Sequence, residues 1–291
     1  MQELVKELRI HHEFLYEIPQ NKLDNYQTIT LGHSGCHYKI MGIQDHHINF
    51  LLNKGKKVKI ELPILFQQSI ENVIQHISKF FHYEINLIVN DWGALYYFSK
   101  EKLPSNISLS LGRQLVFNYS NCPWYEDILQ SESEEIKQHY LQLNINNQSI
   151  INILKEMGVS EVDTDINVQM KDSIHSLREA GIKVNGFLGY PITSTSRACH
   201  ALGYYGGELG KCQHLCNEGI LIEPRESWNR FEDSTLKISK ENRDKLGKLI
   251  VYGNVVIQDT EWKDNVLPFE IDSISHDARF SPIYMNQEVI K

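Results

Sequence analysis

Short β-branched runs alternate along this chain with longer stretches whose apolar residues recur at three and four spacing, the pattern of repeated strand–helix units around a parallel sheet. Eight segments read as strands: Thr28 to Leu31, Val58 to Leu62, Ile85 to Val89, Ile107 to Leu111, Glu161 to Thr164, Lys183 to Leu188, Ile220 to Glu223 and Leu249 to Ile257. Helices are expected between them at Gln67 to Phe81, Tyr125 to Leu143, Ser149 to Met157 and Val168 to Ala180. Gly158 and Gly181 stand just past two of these helices, where a glycine ends a helix and lets the chain turn into a strand. Eight units predict a TIM-type (β/α)8 barrel, closed or distorted, with a doubly wound open sheet as the structural alternative.

No low-complexity or Pro- or Ser-rich linker interrupts residues 1–291, so a single domain is expected, with a short C-terminal extension from about Gly253. Residues 190–219 break the periodicity. They hold glycines at 203, 206, 207, 210 and 219 together with Cys199, Cys212 and Cys216, in a loop long for a compact barrel.

Composition narrows the function classes. The net charge of −8 and pI near 5.9 argue against a protein that coats nucleic acid, which needs clustered Lys and Arg. The one basic run, Lys54 to Lys59, reads as the Gly-broken tail of a helix entering a strand. The N-terminus lacks a basic stretch followed by an apolar one, and no run of eighteen apolar residues occurs, so a cytoplasmic protein without a membrane span is expected. A reducing compartment keeps thiols available as metal ligands.

Among the cysteines the spacing carries more than the count. Cys199, Cys212 and Cys216 form a Cys-x12-Cys-x3-Cys pattern after the sixth predicted strand, and Cys36 follows the first in LGHSGC. On a barrel both segments fall at the rim formed by strand C-termini, so four thiolates can converge there. Soft thiolates suit iron–sulfur clusters, and the nearby glycines let backbone N–H groups approach. Zinc and ligand-free buried thiols are the alternatives, though structural zinc loops commonly carry short knuckles on both sides of the ion. His37, His200 and His214 stand beside the cysteines. Cys122 reads as a partly buried thiol near a helix start.

The segment TITLGHSGCHYKIMG, the NDWGAL stretch after the third strand and the Cys-x12-Cys-x3-Cys pattern together resemble the collagenase-like peptidase family, peptidase family U 32, in its branch associated with oxygen-independent ubiquinone biosynthesis. The resemblance runs from about Leu31 to Cys216. It implies a [4Fe-4S] cluster held by Cys36, Cys199, Cys212 and Cys216. It also implies hydroxylation without molecular oxygen, of an aromatic ubiquinone precursor or, in relatives, of RNA bases, by a heterodimer with a second family member. RNA is the less favoured substrate, because no basic patch interleaves with the aromatics.

Other polar residues fall at predicted strand ends. Asp91 and Asp163 are candidate proton acceptors, Tyr190 a further catalytic candidate, and Arg113, Arg197 and Arg225 candidate clamps for a carboxylate-bearing ligand. Protease machinery is absent from the sequence: His12-Glu13 is followed by Phe14, Leu15 and Tyr16 rather than a second zinc-binding histidine, and Gly32-His33-Ser34-Gly35 lacks the nucleophile-elbow spacing. A cluster with four protein thiolates has no open coordination position and suits electron transfer or structural support. A non-catalytic, metal-stapled interaction subunit is therefore the second functional reading, with a peptidase or RNA-modifying relative behind it.

Overall fold

The computed structural model describes residues 4–65, 69–101, 103–122, 124–208, 212, 219–222, 238–245, 247–259 and 267–279. Eight strands form a closed, all-parallel barrel in the order β1-β12-β7-β6-β5-β4-β3-β2. They are β1 (Val5–Arg9), β2 (Thr28–Gly32), β3 (Lys57–Leu62), β4 (Ile85–Val89), β5 (Ile107–Leu111), β6 (Val159–Asp165), β7 (Lys183–Phe187) and β12 (Ser273–Asp277). The remaining four, β8 (Ile192–Thr195), β9 (Ile220–Ile222), β10 (Leu249–Tyr252) and β11 (Val255–Gln258), make a separate antiparallel sheet, ordered β8-β11-β10-β9.

The chain is thus a (β/α)8 barrel, as its periodicity predicts, but two barrel strands are not the expected ones. The segments expected at Ile220–Glu223 and Leu249–Ile257 belong to the antiparallel sheet, the second of them as a hairpin rather than one strand; Glu223 lies outside the described residues. Their places in the barrel are taken by β1 and β12. The stretch after Gly253 is accordingly no mere appendage, since β12 closes the barrel between β1 and β7. The open-sheet alternative is overturned by that closure.

Outward-facing positions are apolar. Leu8, Ile29, Leu31, Val58, Ile60, Leu87, Val89, Leu109, Leu111, Val162 and Val184 share one core with Ile48, Leu51, Val73, Ile77, Leu95, Phe98, Ile151, Leu154, Ile174 and Leu177 of the surrounding helices. Each such side chain contributes about 1.5–3 kcal/mol on burial. Helix Gln148–Glu156 ends before Gly158 and helix Lys171–Glu179 before Gly181, both glycines at φ 81°. The helix expected over Tyr125–Leu143 is two, Tyr125–Ile128 and Glu134–Leu141, because Ser133 caps the second by accepting from the Ile136 N–H. The helix expected from Gln67 runs over Ile70–Ser78. The basic run does end a helix, Asp45–Asn53, and turns at Gly55 (φ 68°), but its last member, Lys59, is buried inside the barrel.

Inward-facing positions are mostly polar, Ile88 and Phe187 being buried exceptions, which departs from the usual barrel filling of branched apolar side chains. Glu7 and Arg9 on β1, Thr30 on β2, Glu61 on β3, Ser110 on β5, Asp163 on β6 and Asn185 on β7 all have no exposed surface, and Ser275 on β12 is nearly as buried. Arg9 bonds Glu7 at 2.7 Å, Asp163 at 2.7 Å and Glu61 at 3.1 Å, and Asn185 donates to Asp163 and Ser275, both at 2.8 Å. Phe187 lies between two guanidinium groups, Arg9 at 4.4 Å and Arg113 at 4.1 Å from the ring centre.

Candidate functional site at the capped barrel mouth

The antiparallel sheet is inserted between β7 and β12, and it covers the C-terminal mouth of the barrel, the end where such barrels carry their functional groups. The chain leaves β7 through two left-handed residues, Gly189 (φ 85°) and Tyr190 (φ 51°). A tyrosine in that region is strained. Its carbonyl accepts from Arg113 Nη1 at 3.1 Å, which anchors the turn to the barrel. Asp165 at the end of β6 then receives the Ile192 N–H at 3.1 Å, tying the first strand of the cap to the rim.

The β10–β11 hairpin turn, Gly253-Asn254, is the keystone of the cap. The Asn254 N–H donates to the Gly35 carbonyl at 2.9 Å, while the Gly253 and Asn254 carbonyls accept from Ala201 and Ser196 at 3.2 and 3.0 Å. Gly253 is at φ 58°, and a Cβ there would stand 2.0 Å from the Gly35 oxygen, so only glycine fits. One turn therefore fixes both the backbone leading into Cys36 and the backbone on either side of Cys199. Tyr252, fully buried, lies over the His33 ring at 4.1 Å, and His11 stacks beside them at 5.3 Å from His33 and 5.5 Å from Tyr252.

Cys36 is half-buried and packs against the cap cluster of Tyr190, Ile192, Ile250, Tyr252, Val255 and Ile257. Cys199 caps the short helix His200–Tyr204, its Sγ accepting from the Leu202 N–H at 3.3 Å. Burial raises the Cys199 thiol pKa, and proximity to Cys212 raises it further, against the backbone donors that favour the thiolate. A bound cation would reverse that second effect. Cys36, Cys199 and Cys212 form no disulfide, and Cys216 lies outside the described residues. Among the described residues no three His, Cys, Asp or Glu side chains already stand together as a metal-binding group. The donors suit a soft metal or an iron–sulfur cluster by type, with Cys199 beside Cys212 and Cys36 joined to Cys199 through the hairpin turn. Cys122, half-buried beside a 3-10 turn, has its thiol pKa raised by burial.

The other candidates fall in different environments. Asp91 caps helix Trp92–Lys100, accepting from the Ala94 N–H at 3.0 Å, and its neighbour Asn90 points inward instead, donating to the Leu62 carbonyl at 2.9 Å. Asp163 lies in the lumen below the mouth. Burial outweighs Arg9 there, and with Glu7 nearby its pKa is pushed up to about 6. Arg113 is buried, with Nη1 on Asp165 at 2.9 Å and Nη2 on Asp277 at 3.3 Å, so its terminal nitrogens hold the rim together rather than clamp a ligand. Arg197 is exposed in the loop before Cys199. Arg225 lies outside the described residues.

The structure adds residues that the sequence reading did not single out. Arg279, past β12, pairs with Asp277 at 2.6 Å and Glu61 at 2.5 Å and donates to the Gly32 carbonyl at 3.1 Å. Burial opposes ionisation of Glu7 and Asp277, yet Arg9 and Lys59 hold Glu7 at about 2, and Arg279 does the same for Asp277. His11 and His33 are pushed well below the usual histidine range by burial, and neighbouring cations add to the effect. His33 Nδ1 accepts the Gly35 N–H at 2.7 Å, so in the neutral ring the proton sits on Nε2. The mouth thus offers neutral imidazoles above a rigid layer of ion pairs, under a cap whose cysteines meet the barrel rim.

No protein-family model matches the chain, and no curated protein matches it either.

Proposed function

We propose that the protein is an iron–sulfur protein resembling UbiV of the collagenase-like peptidase family, taking part with a partner subunit in oxygen-independent hydroxylation of an aromatic substrate such as a ubiquinone precursor. The observation that carries this reading is the clamp at Gly253-Asn254, which ties the Cys36 and Cys199 segments to a single turn. Cys36, after the second strand of the barrel, and Cys199, in the segment between β8 and β9, are far apart in sequence and would be drawn toward one point at the joint of cap and barrel.

Cys36, Cys199, Cys212 and Cys216 would hold the [4Fe-4S] cluster, which supplies one-electron transfer when bound. The chain's own groups do the remaining work. The cap excludes water from the mouth, and Tyr252 and His33 hold stacked planar groups there. Neutral His33 presents an Nε2 proton, and the Arg113, Asp165, Asp277 and Arg279 pairs hold the rim rigid beneath them. No helix among the described residues is long and apolar enough to cross a membrane.

A second reading, in which the metal only staples the cap and presents a surface to a partner, is favoured by one observation: Arg113, a candidate ligand clamp, is spent on Asp165 and the Tyr190 carbonyl at the rim. Anaerobic redox titration separates the two. A reversible one-electron couple, with hydroxylation dependent on it in the presence of the partner, supports the first; a redox-silent site supports the second. Iron and sulfide retained in Cys36→Ser and Cys212→Ser at the wild-type level would overturn both.

A further inference from the structure

The strongest unassigned feature lies at the opposite end of the molecule from the cap. A cavity of about 1440 Å³ opens at the N-terminal end of the barrel, and every barrel strand contributes a residue to its wall. Barrels of eight strands are usually filled at this end by branched apolar side chains. Here the inward residues include Thr28, Asn86, Ser108 and Ser273, which are short or hydrophilic and leave the axis open.

The charges around this cavity are unevenly spent. Lys59 is taken by Glu7 at 2.7 Å and by Glu161, and Arg178 by Glu270 at 3.1 Å and Asp272 at 3.3 Å. Lys56 donates to the Tyr26 carbonyl at 2.8 Å. Lys57 and Lys183 also line the cavity, and among the described residues neither makes an ion pair or a side-chain hydrogen bond. They head β3 and β7, which are diametrically opposed: three strands separate them in either direction around the barrel. On each strand the lysine is in step with residues known to face the lumen, Lys59 and Glu61 on β3 and Asn185 and Phe187 on β7. The one lining carboxylate outside these ion pairs is Glu84, exposed at the rim before β4.

We propose that this lumen is a binding site for a small anion carrying two or more acidic groups, one on Lys57 and another on Lys183, with the Ser108 hydroxyl between them, held by the Asn86 amide that donates to its oxygen at 2.8 Å. An ammonium group on a flexible stem suits phosphate or carboxylate as a point charge. Aliphatic residues such as Leu4, Val5, Ile85 and Ile271 share the walls with the hydroxyls and amides, and the one aromatic among the lining residues is Phe269, so the walls offer no pair of rings to hold a planar ligand and the two lysines favour a compact anion. The site is independent of the thiols and of the cap, and it stands whether or not the chain carries a cluster.

Calorimetric titration of the full chain with pyrophosphate and, separately, with citrate tests the proposal. The pair distinguishes phosphoryl from carboxylate ligands. Saturable one-to-one binding of at least one of them is expected, weakened about tenfold in Lys57→Gln and in Lys183→Gln and lost in the double variant. It should be unchanged in Lys137→Gln, a lysine on an outer helix paired with Glu134. Both lumen lysines are exposed first residues of their strands, so the variants should fold, which circular dichroism checks. Shift of the Asn86 side-chain amide signal on addition of the anion is the second readout. Absence of saturable binding to either probe, or equal affinity in the double variant, overturns the site.

Discussion

Arg9 on β1 and Asp163 on β6 meet inside the barrel, guanidinium nitrogen to carboxylate oxygen at 2.7 Å, and neither side chain has any exposed surface. The contact belongs to a continuous network that runs from Lys59 through Glu7, Arg9 and Glu61 to Arg279, Asp277, Arg113 and Asp165. Removing one partner strands the others as buried charges, whereas hydrophobic replacement of a whole buried network can be neutral. Arg9→Met is accordingly expected to destabilise the protein by about 3–5 kcal/mol, because Glu7, Glu61 and Asp163 lose their common partner. Urea unfolding followed by circular dichroism measures it. A loss below about 1 kcal/mol would show that water or relaxation replaces the guanidinium.

This network also explains which parts of the fold the sequence reveals. The six strands from β2 to β7 read clearly because their outward residues, such as Ile29, Ile60, Leu87 and Leu109, are apolar and recur at the right interval. β1 (VKELR) and β12 (SISHD) do not, because their outward positions hold Lys6 and His276 beside single apolar residues, Leu8 and Ile274, whereas β3 keeps Val58, Ile60 and Leu62 outward despite its polar inward face. The apolar runs at Ile220 and Leu249 read as barrel strands although they form the cap. Spacing singles out the cysteines as candidates, and the structure adds that the Cys36 and Cys199 segments meet at the Gly253-Asn254 turn. The lumen is not, since its ion pairs join residues as distant in sequence as Glu61 and Arg279, and only closure of the barrel brings them together.

Stability should fall as pH drops from 7 to 5. The folded His11 and His33 sit well below 6.5, so the unfolded chain binds their protons first, and each contributes stability that is lost as pH falls through 6.5. Asp163 acts in the opposite sense: with a folded value of about 6 against 3.8 unfolded, it takes up its proton in the folded state and offsets part of the loss between those values. Each uncompensated proton amounts to about 1.4 kcal/mol per pH unit. His11→Leu, which removes a ring whose nitrogens have no hydrogen bond among the described residues, should make the acid limb of a Tm-against-pH curve shallower by about one proton. An unchanged limb contradicts the assignment.

Gly253→Ala should separate the cap from the rim. The added methyl would collide with the Gly35 oxygen at 2.0 Å in a backbone region unfavourable to alanine, and the Asn254 to Gly35 bond would break. The barrel has its own core and should survive. The expected outcome is near-native far-ultraviolet circular dichroism with iron content reduced to less than about half of wild type. Full iron retention would show that the turn does not align the cysteines.

Deleting residues 260–291 should abolish folding, because it removes β12 and leaves β1 and β7 as open edges, with Arg9, Arg113 and Glu61 short of Asp277 and Arg279. Size-exclusion chromatography and circular dichroism of the truncated chain test this. A monomeric, cooperatively unfolding product would mean that the barrel can close without its last strand.

The cluster is the claim on which the functional reading depends. Mössbauer spectroscopy of protein grown on 57Fe and purified without oxygen tests it most directly. The account predicts about four irons per chain in the spectrum of a [4Fe-4S] cluster, lost in Cys199→Ser; a chain that binds zinc or no metal under the same conditions would contradict it.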